Sequence, residues 1–346
     1  MMLTYPANLS KRRIKMDWNY WLPLVFLGLL GLVMTIYVVL DGFDLGVGML
    51  MPRAKPDEQN VMVGSIGPFW DANETWLVLG AGVLFIAFPK ANTIVLGNLY
   101  LPATFMLFAL IVRGAAFDFR VKADDNHKEL WNIAFMLGSA GMALTQGWML
   151  GRYVTAFGTG VWDYLFSLGI MFSVPAVYVL LAACWLIAKT EDALQKKAQL
   201  WANQAWWPVV ACMLLISLST PYVSQNVLTR WLVLPNILYL APVPILSVIF
   251  LLRAKLLLRH ENILHQRIWQ PFILVILTLV LCSLGLGISL YPYAVIGQLT
   301  VWEAAASVPT LAVTLIGVGI TVPCIIAYSI FSYWAFRGKA SNLTYG

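Results

Sequence analysis

Nine long apolar runs follow one another along this chain, each close to the length a helix needs to cross a bilayer, about 20 residues. They cover residues 20–40, 61–88, 93–113, 130–149, 164–188, 206–220, 235–252, 267–290 and 309–336. The expected fold is all-α: a polytopic membrane protein with about nine transmembrane helices. Composition excludes the alternatives. Of 346 residues, 60% are apolar and 11% charged, against about 25% charge in an ordinary soluble domain. A soluble enzyme, a nucleic-acid binder and a disordered scaffold are ruled out. The formal charge of +6 then reflects basic loops on one side of a membrane rather than a polyanionic partner.

Those loops set an orientation. Alternate connections carry Arg53, Lys55, Arg113, Arg120, Lys122, Lys128, Lys189, Lys196, Lys197, Arg253, Lys255, Arg259, Arg267, Arg337 and Lys339. The opposite set carries Lys90, Arg152 and Arg230. The positive-inside rule places the C-terminus in the cytoplasm and the N-terminus outside. Lys11, Arg12, Arg13 and Lys15 point the other way, and Met16 offers a resolution. Residues 1–15 are expected to be an extension, and residues 16–346 a single transmembrane helical domain. The longest polar connections, 117–129 and 191–203, are too short for a soluble domain.

Cys184, Cys212, Cys282 and Cys324 each fall in an apolar run without a CxxC spacing, which reads as small buried hydrophobes. His127, His260 and His265 all lie in polar connections, so the usual axial haem ligand is missing from the spans. Met34, Met106, Met142 and Met171 are read as packing residues.

Ionisable residues within spans are costly and therefore informative. Asp41 and Asp44, in DGFDLGVG at the end of the first run, are three residues apart and share a helix face. Gly42 and Gly46 beside them permit close approach of a neighbouring helix. A hydrated helix end explains the pair equally well. Asp71 and Glu74, in PFWDANETW, fall within the second run. If that helix is continuous from Val61, Asp71 is about 15 Å deep and Glu74 a little deeper. Two carboxyls one turn apart at that depth are expensive to ionise together, which suits holding and passing a proton. Hydrogen-bonded glue between helices and a cation site are the other readings. Arg113, with Asp118 and Arg120, is read as an interfacial anchor at a helix end. Gln146 and Glu303 are read as hydrogen-bonding residues between helices near the outer surface.

Five stretches resemble subunit II of the cytochrome bd-type quinol oxidases, a group that includes cyanide-insensitive oxidases. They are YVVLDGFDLGVG at 37–48, PFWDANETW at 68–76, RGAAFDFR at 113–120, GLGISLYPY at 285–293 and YWAFRGK at 333–339. The resemblance implies a nine-helix subunit in the bacterial cytoplasmic membrane, paired with a haem-bearing subunit I. It implies oxidation of quinol and reduction of oxygen to water. Cytoplasmic protons are consumed and quinol protons released outside. By the same resemblance Asp71 matches the family's W-D-x-N acid, assigned to proton delivery, and Asp41 and Asp44 match the D-G-F-D pair near the route's entrance. Glu74 is a further relay candidate. No cofactor or metal is expected in this subunit, although some relatives hold a structural quinone there, and a small accessory subunit is a further possible partner. A self-sufficient proton-coupled transporter is the competing reading from another class.

Overall fold

The computed structural model describes residues 17–223, 231, 233–260 and 263–340. The extension expected at residues 1–15 lies outside the described residues. The main helices are α1 (Trp18–Leu50), α2 (Pro56–Ile66), α3 (Trp70–Ala87), α4 (Pro89–Lys122), α5 (Asp125–Val154), α6 (Val161–Lys189), α7 (Asp192–Val223), α8 (Pro242–Leu258), α9 (Gln270–Leu290) and α10 (Val308–Ala335). Among the described residues, eight helices are long and apolar enough to cross a membrane. The 18-residue α3, with Asp71, Asn73 and Glu74 in its first two turns, accounts for the ninth apolar run. The fold is all-α and polytopic, as the runs predict.

Three expectations are corrected. The run at 61–88 is not one helix. Pro68 lacks an amide proton and its ring clashes with the preceding turn, so α2 ends at Ile66 and α3 starts at Trp70. Asp71 therefore sits in the first turn of α3, not ten residues into a continuous helix. Second, the polar connections are largely helical. α4 runs on to Lys122, α5 begins at Asp125, and α7 begins at Asp192 rather than near Trp206. Polar residues there extend the helices beyond the apolar segments that sequence can detect. Third, Cys184 is buried, but Cys282 and Cys324 face outward. An apolar run shows that a residue lies within the membrane, not which way it points.

α1 organises the bundle, packing against α3, α5 and α6 and touching α9 and α10. Gly46 makes this possible. A Cβ there would stand 2.0 Å from the Tyr178 backbone oxygen of α6, and one at Gly42 would stand 2.7 Å from the Tyr178 ring. The core lies where these helices meet. Phe43 stacks on Trp185 with centroids 4.4 Å apart, and Phe69 stacks on Tyr333 at 4.3 Å.

The ends of the helices are tied by polar contacts. Lys189, closing α6, donates to the carbonyls of Phe336 (2.5 Å) and Gly338 (2.7 Å), while Lys339 donates to Thr190 (2.8 Å). Glu58 on α2 accepts from Lys197 on α7 at 2.7 Å and from the Lys55 amide at 2.8 Å. Partial burial pushes the Glu58 carboxyl up, but these donors outweigh it and hold the group below its ordinary value. Glu303 does not bridge helices as expected. It caps a single turn, Val301–Ala304, by accepting from the Thr300 amide at 2.8 Å.

The close approach at Gly46 is testable. Gly46→Ala is expected to destabilise the protein by at least the upper part of the about 1–3 kcal/mol typical of overpacking, because its contact is backbone. Gly28→Ala, where nothing lies within 4 Å, is the control and should leave the thermal midpoint unchanged.

Candidate functional site

The functional side chains converge on Arg113 of α4. Three of the four carboxyls singled out from sequence gather around it, and the fourth does not. Asp41 and Asp44 lie one turn apart on α1, and both are fully buried. Because α1 continues to Leu50, they sit about 9–14 Å short of its end. They are not at a hydrated helix terminus.

Arg113 is also fully buried, nine residues before the end of α4. This overturns its reading as an interfacial anchor. Its Nη1 lies 2.9 Å from Asp41 Oδ1 and donates to Glu74 Oε1 on α3. The guanidinium is flanked by Trp70 and Phe135, whose ring centroids lie 6.0 and 5.9 Å from Cζ. Asp44 Oδ2 accepts from Asn73 Nδ2 at 2.8 Å. Asn73 Oδ1 in turn accepts from the Tyr333 hydroxyl of α10 at 3.0 Å. One polar network thus joins α1, α3, α4 and α10 in the middle of an apolar bundle.

The remaining anchor residues behave differently. Asp118 is exposed. Arg120 is buried, hydrogen-bonded to Asn132 of α5 and donating to Asn60 of α2 at 2.8 Å. Asn132 continues to Gln59 at 2.7 Å. Gln146 does link helices, as expected, by bonds of 2.7 Å to Tyr37 of α1 and Tyr178 of α6.

Asp71 stands apart. It is exposed in the first turn of α3, three residues before Glu74. An aspartate on the rim of an apolar bundle needs a polar neighbour, and the inner cluster does not supply one.

Charge is unbalanced within the cluster. Asp41, Asp44 and Glu74 supply three carboxyls against the one guanidinium of Arg113. Two like charges 4 Å apart repel by about 4 kcal/mol at an effective dielectric constant of 20, so the arrangement favours keeping a proton among the carboxyls. Asp44 Oδ1, Asp41 Oδ2, Arg113 Nε and Arg113 Nη2 are buried without a hydrogen-bond partner among the described residues. Such groups mark places where water or a mobile proton completes a network. Among the described residues, no group of three or more His, Cys, Asp or Glu is disposed to hold a metal ion.

Comparison with known proteins gives the family. The family description "Cytochrome bd terminal oxidase subunit II" matches residues 22–336. The chain belongs to that family. It is 27% identical over 360 residues to cytochrome bd-I ubiquinol oxidase subunit 2 of Escherichia coli strain K12, covering 91% of this chain and 94% of that one. It is 28% identical over 329 residues to cytochrome bd ubiquinol oxidase subunit 2 of Bacillus subtilis strain 168, covering 88% and 93%. The solved bd oxidase of Geobacillus thermodenitrificans shares the fold, with a TM-score of 0.74 at 18% identity over 92% of this chain and 100% of the matched chain. A bd oxidase subunit II is a multi-pass membrane component of an oxidoreductase complex with another subunit, which removes the transporter reading.

Sequence reasoning missed Arg113 as the hub, Asn73 as the bridge, and Tyr37 and Tyr333 as members. A signal existed for Arg113. The apolar pattern resumes after it at Ala115, Ala116 and Phe117, so the helix does not end there.

The ion-pair geometry predicts an asymmetry. Arg113→Leu is expected to destabilise by about 3–5 kcal/mol, because it strands buried carboxylates. Adding Asp41→Asn and Glu74→Gln should restore much of that loss. Thermal unfolding of the purified complex measures both, and no recovery in the triple variant would show that the pairs are not the source.

Proposed function

We propose that within the bd oxidase complex this subunit conveys protons from the cytoplasmic side toward a haem-bearing partner subunit, where oxygen is reduced to water. In this reading quinol oxidation releases its protons on the outer side, and the complex builds a proton-motive force without pumping. The observation that carries the proposal is the excess of buried carboxyls over cations around Arg113. Asp41, Asp44 and Glu74 form the inner reservoir, and Asp71 is the exit on the outer face of α3, directed at the partner. Glu74 connects the two, since it is ion-paired to Arg113 and lies one turn from Asp71.

The route has a direction. The cluster lies toward the ends of α1, α4, α6 and α10 that carry Arg120, Lys122, Lys189, Arg337 and Lys339. By the positive-inside rule those ends are cytoplasmic. Protons then enter where the basic residues lie, and the C-terminus is on the same side with the N-terminus outside. Haem ligation is assigned to the partner, because the buried groups of the cluster are carboxyls, amides, phenols and a guanidinium. A structural quinone would fit a cavity of about 300 Å3 among α1, α6, α9 and α10, lined by Phe43, Phe69, Trp185, Phe272 and Tyr333.

Asp71→Asn is the decisive variant, since it keeps the shape but removes the titrating proton. Oxygen consumption per haem is expected to fall at least tenfold, about 1.4 kcal/mol on the limiting step, with assembly intact. Asp71→Glu should recover part of the activity. Full turnover per haem in the Asn variant would falsify the relay role. Orientation is tested separately: a cysteine added after Gly346 should react with an impermeant reagent only in inverted membranes. Labelling in intact cells would reverse the direction of proton entry.

A further inference from the structure

Lys189 is a buried cation held only by neutral groups. It is the last residue of α6, is 3% exposed, and donates to the carbonyls of Phe336 and Gly338. Its ammonium lies 5.4 Å from the Trp185 ring centre and 5.8 Å from that of Phe69. An ammonium has three donors, and two are spent on carbonyls. Among the described residues Lys189 forms no ion pair. Two more cations stand close by. Lys339 donates to the Thr190 carbonyl at 2.8 Å, and the Arg337 guanidinium lies 4.9 Å from the Trp334 ring centre. Neither is ion-paired among the described residues, and Glu191 acts on Lys339 only through space. A buried charge is costly unless an opposite charge meets it.

Lys189 and Phe69 line two neighbouring cavities. One, of about 190 Å3, has Lys339, Gly338 and Ser65 in its wall. The other is the aromatic cavity of about 300 Å3, which also holds Arg337, Trp269, Leu40 and Ile276. These residues are graded along the helix axes. Lys189 ends α6, Arg337 follows α10 and Trp269 precedes α9, all at one end of the bundle. Ile276 is about 9 Å into α9, and Leu40 is about 15 Å short of the end of α1. The space is thus cationic at the helix ends and apolar within.

That grading selects the occupant. A free inorganic anion would meet the cations and leave the rings bare. A quinone would fill the rings and leave the cations without a counter-charge. An anionic phospholipid meets both, and basic pockets between helices at a cytoplasmic surface suit such headgroups. We propose that the ends of α6 and α10 hold one anionic phospholipid, its phosphate at Lys189, Arg337 and Lys339 and one acyl chain in the aromatic cavity. The lipid supplies the counter-charge that the helices do not, and so fixes the C-terminal segment whose carbonyls Lys189 grips. Its assignment to the cytoplasmic leaflet rests on the orientation proposed above, whereas the binding does not, and neither depends on proton delivery.

The test uses the purified complex after its lipid has been removed by prolonged detergent exchange. Added phosphatidylglycerol should raise the thermal midpoint, while phosphatidylcholine and inorganic phosphate should not. The phosphatidylglycerol concentration for half the rise should increase about fivefold in Arg337→Gln and again in Lys339→Gln. It should be unchanged in Arg53→Gln, an exposed basic residue that lines neither cavity. Ile276→Trp, which keeps every cation but fills the apolar end, should weaken the response as well. An equal response to phosphatidylcholine, or an equal loss in Arg53→Gln, would reduce the effect to general surface attraction and overturn the proposal. Phosphate as effective as the lipid would make this a free-anion site. Full affinity in Ile276→Trp would show that no chain is seated there. Solvent extraction of the native complex should yield an anionic phospholipid that Arg337→Gln with Lys339→Gln retains poorly; a quinone retained by wild type in its place would also overturn the proposal. None of these readouts uses turnover, so their failure leaves the proton-delivery reading untouched.

Discussion

A single guanidinium held in the interior of the bundle is the constraint from which the rest follows. Arg113 is fully buried, so α1 and α3 must each bring a carboxyl to it, Asp41 and Glu74. Breaking either pair strands a charge in an apolar medium, a penalty of several kcal/mol. That requirement fixes how α1, α3 and α4 sit against one another more tightly than their apolar faces alone. Lipid-facing helices gain little from hydrophobic contact with each other. The polar cluster and the glycine contacts with α6 supply much of the specificity that a soluble core would obtain from burial.

The same arrangement sets the chemistry. A balanced ion pair is inert, whereas three carboxyls around one cation leave an unsettled position. Asn73 reads out this imbalance by offering its amide to Asp44 and its oxygen to Tyr333. Asp71, one helical turn before Glu74, is exposed, whereas Glu74 reaches Arg113.

Much of the fold was legible in the sequence, because apolar runs and the bilayer thickness are matched by physical necessity. Every run has its helix, and the glycines flagged beside Asp41 make the predicted close approach. What was not legible is where polar helix ends stop, since a helix that leaves the membrane no longer needs an apolar sequence. That is why α7 was shortened and Arg113 was placed at a terminus. The site was half legible. Residue type and rarity singled out Asp41, Asp44, Asp71 and Glu74, but partnership depends on helix rotation about the axis. Sequence does not show that Glu74 reaches Arg113 while Asp71 stays exposed, or that Tyr37 and Gln146 are neighbours across 109 positions of chain. Pro68 carried the one strong local signal that was under-used.

The contact between Tyr333 and Asn73 spans 260 positions, from the third helix to the last. Membrane chains are made and inserted from the N-terminus onward, so Asp44, Asn73 and Arg113 enter the bilayer well before α10 exists. Until then the Asn73 oxygen lacks its phenol. The Lys189 ammonium likewise lacks the Phe336 and Gly338 carbonyls that later receive it. The nascent subunit therefore holds an incomplete polar centre that only its final segment can finish. Synthesis of that segment is in effect a completion signal, and chains released early carry an unsatisfied interior that marks them as unfinished.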